Sequence, residues 1–179
     1  MQGTHFTRKE IEDWYHGFMK SCPNGAVSLK DFQHMYAQFF DGDASEFAMH
    51  VFRSFDVDKS GMIDFKEFMQ SLSMTSRGNL DEKLEWAFRI YDIDGDGKIS
   101  QGEMLEIIKC LYKLYPRKNW SSKATPKERT EMIFRKFNIN NDGFLSMDEF
   151  KIGAIEDPVL VAIMQSNSSK SARSDVESD

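Results

Sequence analysis

Carboxylates recur in this chain at intervals that suit one kind of chemistry. The segment from Asp56 to Glu67, DVDKSGMIDFKE, and the segment from Asp92 to Glu103, DIDGDGKISQGE, place oxygen-bearing residues at positions 1, 3, 5, 9 and 12 of a twelve-residue frame with Gly at position 6. Calcium takes six to eight hard oxygen ligands at about 2.3–2.6 Å, and wrapping a short chain around it demands a glycine where the backbone turns sharply. In the first of these segments Asp56, Asp58 and Ser60 would supply side-chain oxygens, Met62 its carbonyl, Asp64 a bridged water and Glu67 both carboxylate oxygens. In the other the same roles fall to Asp92, Asp94, Asp96, Lys98, Ser100 and Glu103, with Gly61 and Gly97 at the turns.

The frame occurs four times, starting at Lys20, Asp56, Asp92 and Asn138, so the intervals are 36, 36 and 46 residues. The last copy, NINNDGFLSMDE, has Asn138 and Asn140 where the better loops carry Asp, keeps Asp142 and Glu149, and would offer the Phe144 carbonyl. Two carboxylates attract a divalent ion less than four, so its occupancy is left open. The first copy, KSCPNGAVSLKD, has Lys20 at position 1, Cys22 at 3, Pro23 at 4 and Asp31 in place of Glu at 12. A cation is repelled there, and the loop's expected role is structural.

Each loop must be held by flanking helices. Ile11, Trp14, Tyr15 and Phe18 line one face before the first loop, and Phe65, Phe68, Met69 and Leu72 line one face after the second. Capping boxes are expected at Thr7 with Glu10, Asp43 with Glu46, and Thr125 with Glu128, the last with Pro126 at the first helical position. Val27, Ile63, Ile99 and Leu145 occupy position 8 of the four loops, where an apolar side chain lets two loops pair by a short antiparallel bridge.

The expected architecture is therefore all-α: four helix-loop-helix units in two pairs, with short β-bridges between paired loops. The boundaries expected are an N-terminal pair over 1–75, a short linker over 76–79, a C-terminal pair with a closing helix over 80–164, and a disordered Ser-rich tail over 165–179. The extra ten residues of the last interval fall around Pro116 to Pro126, an exposed linker by composition.

Composition narrows the function classes. The 179 residues carry 23 Lys+Arg against 29 Asp+Glu, a net charge of −6, which disfavours nucleic acid. Two cysteines, Cys22 and Cys110, suit a reducing compartment better than a disulfide framework, and a cytoplasmic location is expected. The longest apolar run near the end, Val159 to Met164, is far short of the roughly 20 residues a membrane span needs. The N-terminus MQGTHFTRKE shows no secretory signal and no glycine at position 2, so no myristoyl anchor is expected from it. His5, His16, His34 and His50 share no ligand spacing, no nucleophile motif is placed, and no enzyme is expected.

Four such units, CPNG in the first loop, FFDGDASEFAMHVFRSFD before the second and SRGNLDEKLEWAFRIYDIDGDGKIS running into the third resemble the neuronal calcium sensor family of EF-hand proteins, most of all its neurocalcin, hippocalcin and visinin-like branch. The resemblance spans roughly Phe6 to Met164. It implies a calcium-binding regulator that uses its second, third and sometimes fourth loops, with magnesium a possible resting occupant. Its partner would be the amphipathic helix of a membrane receptor, cyclase, kinase or channel, reached at the membrane periphery through that partner.

Such sensors rotate their helices on binding the ion and expose an apolar groove. The aromatic candidates for its lining are Trp14, Tyr15, Phe18, Phe32, Tyr36, Phe39, Phe52, Phe55, Phe68, Trp86 and Phe88. Two bound calcium ions would take the net charge from −6 to −2, easing self-repulsion on association. The segment Val159–Met164 is apolar enough to occupy the groove until a partner displaces it. A calcium buffer and a calcineurin-B-like regulatory subunit are the alternative readings.

Overall fold

The computed structural model describes residues 4–40, 42–115, 124–157 and 160. Within them the chain forms α1 (Arg8–Ser21), β1 (Ala26–Ser28), α2 (Leu29–Ala37), α3 (Ser45–Phe55), β2 (Met62–Asp64), α4 (Phe65–Arg77), α5 (Leu80–Tyr91), β3 (Ile99–Ser100), α6 (Gln101–Leu114), α7 (Pro126–Phe137), β4 (Phe144–Leu145) and α8 (Met147–Glu156). Every strand is the end of a loop, and every loop joins two helices. The 116–126 linker expected from composition lies outside the described residues up to 123, as does the Ser-rich tail. Of the apolar segment Val159–Met164 only Leu160 is described, and it is fully buried.

The strands pair as the apolar residue at position 8 demands. β1 lies antiparallel to β2 with Val27 opposite Ile63, and β3 lies antiparallel to β4 with Ile99 opposite Leu145. Ile63, Ile99 and Leu145 are completely buried and Val27 nearly so, because each pair closes the roof of the helices beneath it.

Capping chemistry sets the helix starts. Thr7 with Glu10 and Thr125 with Glu128 form reciprocal boxes, and Pro126 occupies the first turn of α7. The third expected box does not form. Asp43 Oδ1 instead accepts from the backbone and hydroxyl of Ser45, so α3 begins at Ser45. Glu46 is thereby released to pair with Lys113 of α6 at 2.8 Å. The α4–α5 connection is also tighter than expected. α4 continues through Arg77, Gly78 ends it, and Asn79 already caps α5.

The two halves are joined by packing as well as by chain. α3 lies against α5 and α6, α4 against α5, and aromatic and aliphatic side chains from both halves form one continuous core. Trp86 of α5 is buried at this junction and donates its indole N–H to Ser54 Oγ of α3 at 3.2 Å. Cys110 is buried beside Glu46, and burial together with that carboxylate pushes its thiol up to about 12, which makes it a packing residue.

Gly42 shows how closely the halves approach. A Cβ there would fall far inside van der Waals contact of the Lys113 and Leu114 carbonyl oxygens at the end of α6. Those are rigid backbone atoms, so Gly42→Ala must part the loop from α6. The expected loss is about 2 kcal/mol, by analogy with overpacked sites, measured as a lowered urea midpoint.

Candidate metal centre

The second and third loops gather carboxylates that ordinary surface loops keep apart. One ligand oxygen from each of Asp56, Asp58 and Glu67 lies within 4.8 Å of the others, and the same holds for Asp92, Asp94 and Asp96. Asp56, Glu67 and Asp92 are buried, and among the described residues none of the three forms an ion pair with a lysine or arginine, so these charges have been taken out of water without direct neutralisation. A divalent cation is the ligand that such crowding favours.

Backbone amides hold the oxygens in place. Asp56 accepts from the Ser60 and Gly61 amides, each at 2.9 Å, and Asp58 accepts from the Ser60 amide at 2.9 Å. The Ser60 hydroxyl donates to the Met62 carbonyl at 2.9 Å, which sets two expected ligands side by side. In the third loop Asp92 accepts from Gly95 and Gly97 at 2.8 and 3.0 Å, Asp94 from the Asp96 amide at 3.1 Å, and Asp96 from the Lys98 amide at 2.8 Å.

The glutamate at position 12 closes each loop. Glu67 accepts from the Val57 and Asp58 amides through Oε1 and from the Asp64 amide through Oε2. Glu103 does the same with Ile93 and Asp94 on one oxygen and with the amide and hydroxyl of Ser100 on the other. Because this residue also sits in the first turn of the following helix, its carboxylate ties helix and loop together.

Titration behaviour follows from these contacts. Burial lifts the Asp92 carboxyl above its usual range, opposed by the Gly97 and Gly95 amides and reinforced by the charges of Glu103 and Asp96. Burial also works on Glu103, yet the Ser100, Asp94 and Ile93 donors outweigh it and hold that carboxyl below the usual range. Asp58 is held low by its Ser60 hydrogen bonds.

The backbone explains which loops can wrap. Position 6 takes positive φ in all four: Gly25, Gly61, Gly97 and Gly143 lie between 78° and 86°. Position 4 does so in three, at Lys59 (59°), Gly95 (76°) and Asn141 (56°). The first loop has Pro23 there, whose ring locks φ near about −65° and forbids that turn. The sequence reading had marked Pro23 at position 4 as a departure, and the positive φ of its three counterparts supplies the backbone reason. The first loop also contributes to none of the acidic groupings found among the described residues.

The fourth loop has the wrapped backbone with a thinner donor set. Glu149 bridges Ile139, Asn140 and Ser146 as its counterparts do, and Asn140 and Asp142 accept from the Asp142 and Phe144 amides at 3.0 and 2.9 Å. Asn138 differs: its Oδ1 is buried with no hydrogen-bond partner. An oxygen so placed at position 1 suits a metal ion.

The aromatic candidates divide sharply. Trp14, Tyr15 and Phe39 are exposed, at 41%, 46% and 51%, and Phe68 is half-buried against Trp14. Phe18, Phe32, Tyr36, Phe52, Phe55, Trp86 and Phe88 are buried. In this conformation those seven are core residues, and the expectation that they line a groove concerns the state with calcium bound. Helix faces at the same spacing serve either purpose, and packing of α2 on α3 and α5 on α8 decides it.

Comparison with known proteins completes the assignment. A model of the EF-hand domain pair matches residues 81–155, and a model of the EF hand domain matches residues 47–75. Neuronal calcium sensor 1 of Lymnaea stagnalis is 44% identical over 161 residues, covering 88% of this chain and 84% of its own length. The chain belongs to the neuronal calcium sensor family. The same protein of Aplysia californica is 45% identical over 163 residues, with 89% of this chain and 85% of its own length covered. Human recoverin is 39% identical over 167 residues, covering 90% of this chain and 84% of its own length.

This family is one of calcium sensors, and the chain is a calcium-binding EF-hand protein rather than an enzyme. No helix among the described residues is long and apolar enough to cross a membrane.

Proposed function

We propose that the chain is a calcium sensor whose second and third loops bind the ion tightly and whose N-terminal half then receives an amphipathic helix of a target protein. The observation that carries this reading is the gathering of Asp56, Asp58 and Glu67, and of Asp92, Asp94 and Asp96, into two compact oxygen clusters. The ligands are those of the sequence reading: Asp56, Asp58, Ser60, Met62, Asp64 and Glu67 in one loop, Asp92, Asp94, Asp96, Lys98, Ser100 and Glu103 in the other. The fourth loop is a weaker third site built on Asn138, Asn140, Asp142, Phe144 and Glu149. Its backbone is wrapped and the Asn138 oxygen awaits a partner, but its carboxylates number two.

Glu67 and Glu103, in the first turns of α4 and α6, would hold a bound ion whose positive charge would couple each loop to the helix that follows it. Glu67 and Glu103 each bridge loop and helix, so a change in what they bind is a change in helix position. The receiving surface starts from what is already exposed: Trp14 and Tyr15 of α1, Met35 of α2, Phe39, and Met49 of α3. Aromatic anchors among flexible thioethers suit an apolar helix whose exact sequence varies. A target helix from a membrane receptor, cyclase, kinase or channel fits the family, and magnesium fits as the occupant at resting calcium.

The discriminating experiment titrates the protein with calcium in millimolar magnesium while following the fluorescence of an apolar-surface dye. A sensor gives a rise of at least about threefold at micromolar free calcium or below. A flat response alongside confirmed ion binding makes the protein a buffer and removes the target-binding reading.

A further inference from the structure

One basic side chain of the second unit works on the third. Arg53 lies in the last turn of α3, three residues before Asp56, yet its guanidinium reaches across the junction to α5. Nη2 donates to the carbonyl oxygens of Ile90 at 2.9 Å and Arg89 at 3.4 Å. Those carbonyls end the helix that runs directly into Asp92, where a cation is favoured by the helix dipole. Nη1 lies 3.4 Å from Nδ1 of His50, whose Nε2 is 3.3 Å from Glu106 of α6. His50 is buried, so the helix entering the third loop and the helix leaving it are both held by this one pair on α3.

The charges around Arg53 point the same way. The carboxylates of Asp92, Glu106, Glu103 and Asp94 all act on the guanidinium electrostatically, and three of those four belong to the third loop's ligand set. A half-buried cation there is screened less than a surface one. We propose that Arg53 is a fixed counter-charge which lowers the calcium affinity of the third loop. The proposal rests on the ligand set given above for that loop.

The physical consequence is a competition. While the loop is free of metal, the guanidinium offsets part of the repulsion among its carboxylates and so stabilises that state. When a divalent cation arrives, the same guanidinium repels it. Arg53 thereby acts as a positioning residue that touches no ion, and it shifts the concentration at which the third loop fills.

The test follows the Gly61 and Gly97 amide resonances of the full chain through a calcium titration, so that each loop reports its own midpoint. Removing the charge with Arg53→Met is expected to lower the Gly97 midpoint by about three- to tenfold, with a smaller change at Gly61. Arg53→Lys keeps the charge and is expected to stay within about twofold of the parent. Should the Met variant not fold, Arg53→Gln carries the same expectation. A Gly97 midpoint that is unchanged or raised in the neutral variant overturns the proposal, as does a Lys variant that shifts as far as the neutral one. Absence of any Gly97 transition in the parent protein would instead overturn the ligand assignment itself.

Discussion

Glu103→Gln is expected to weaken calcium binding at the third loop by about 100-fold while leaving the fold intact. Glu103, like Glu67 in the second loop, would use both oxygens of its carboxylate, and it also links the loop to α6 through Ile93, Asp94 and Ser100. An amide in its place retains the carbonyl oxygen, so part of this bridge survives. What disappears is one negative charge and one ion-binding oxygen. Calorimetry should show one tight equivalent fewer, and thermal unfolding of the calcium-free protein should hardly change. An unaltered tight stoichiometry would show that the third loop is not a principal site.

Ile63→Ala is expected to destabilise the protein by about 3 kcal/mol, within the range for deleting a buried isoleucine side chain. Ile63 is fully buried and stands opposite Val27, so its loss opens a cavity between the first and second loops. Two proposed ligands of the second loop, Met62 and Asp64, stand on either side of this residue. Weaker calcium binding at that loop should therefore accompany the lost stability, although no ligand has been changed. This variant also measures the contribution of the first loop. The sequence reading gives it, with Lys20 and Pro23, a structural role, and its strand supplies Ala26, Val27 and Ser28 as partners for Asp64, Ile63 and Met62. Denaturant unfolding with and without calcium separates the two effects. A stability loss with unchanged calcium affinity would confine the first loop to packing.

The loops were legible in the sequence because their chemistry is local: ligand spacing, glycine at position 6 and an apolar residue at position 8 all lie within twelve residues. The same holds for the capping boxes at Thr7 and Thr125. Asp43 looked equivalent, but its box competes with Ser45 beside it and with Lys113, which lies 67 residues beyond Glu46. No local pattern reveals that competitor. The aromatic residues were legible as helix faces and illegible as surface or core. Trp86 finds Ser54 and Phe88 finds Phe150 only once the helices are assembled. Arg53 shows the same limit, since in sequence it is an ordinary basic residue at the end of a helix and only the fold brings it to the Ile90 carbonyl.

The most direct test of the account is calcium calorimetry on the full chain in millimolar magnesium, repeated on Glu67→Gln and Glu103→Gln. The account predicts two tight equivalents in the parent, a third at least about tenfold weaker, and the loss of one tight equivalent in each variant. Two tight equivalents that persist in either variant, or fewer than two in the parent, would contradict it.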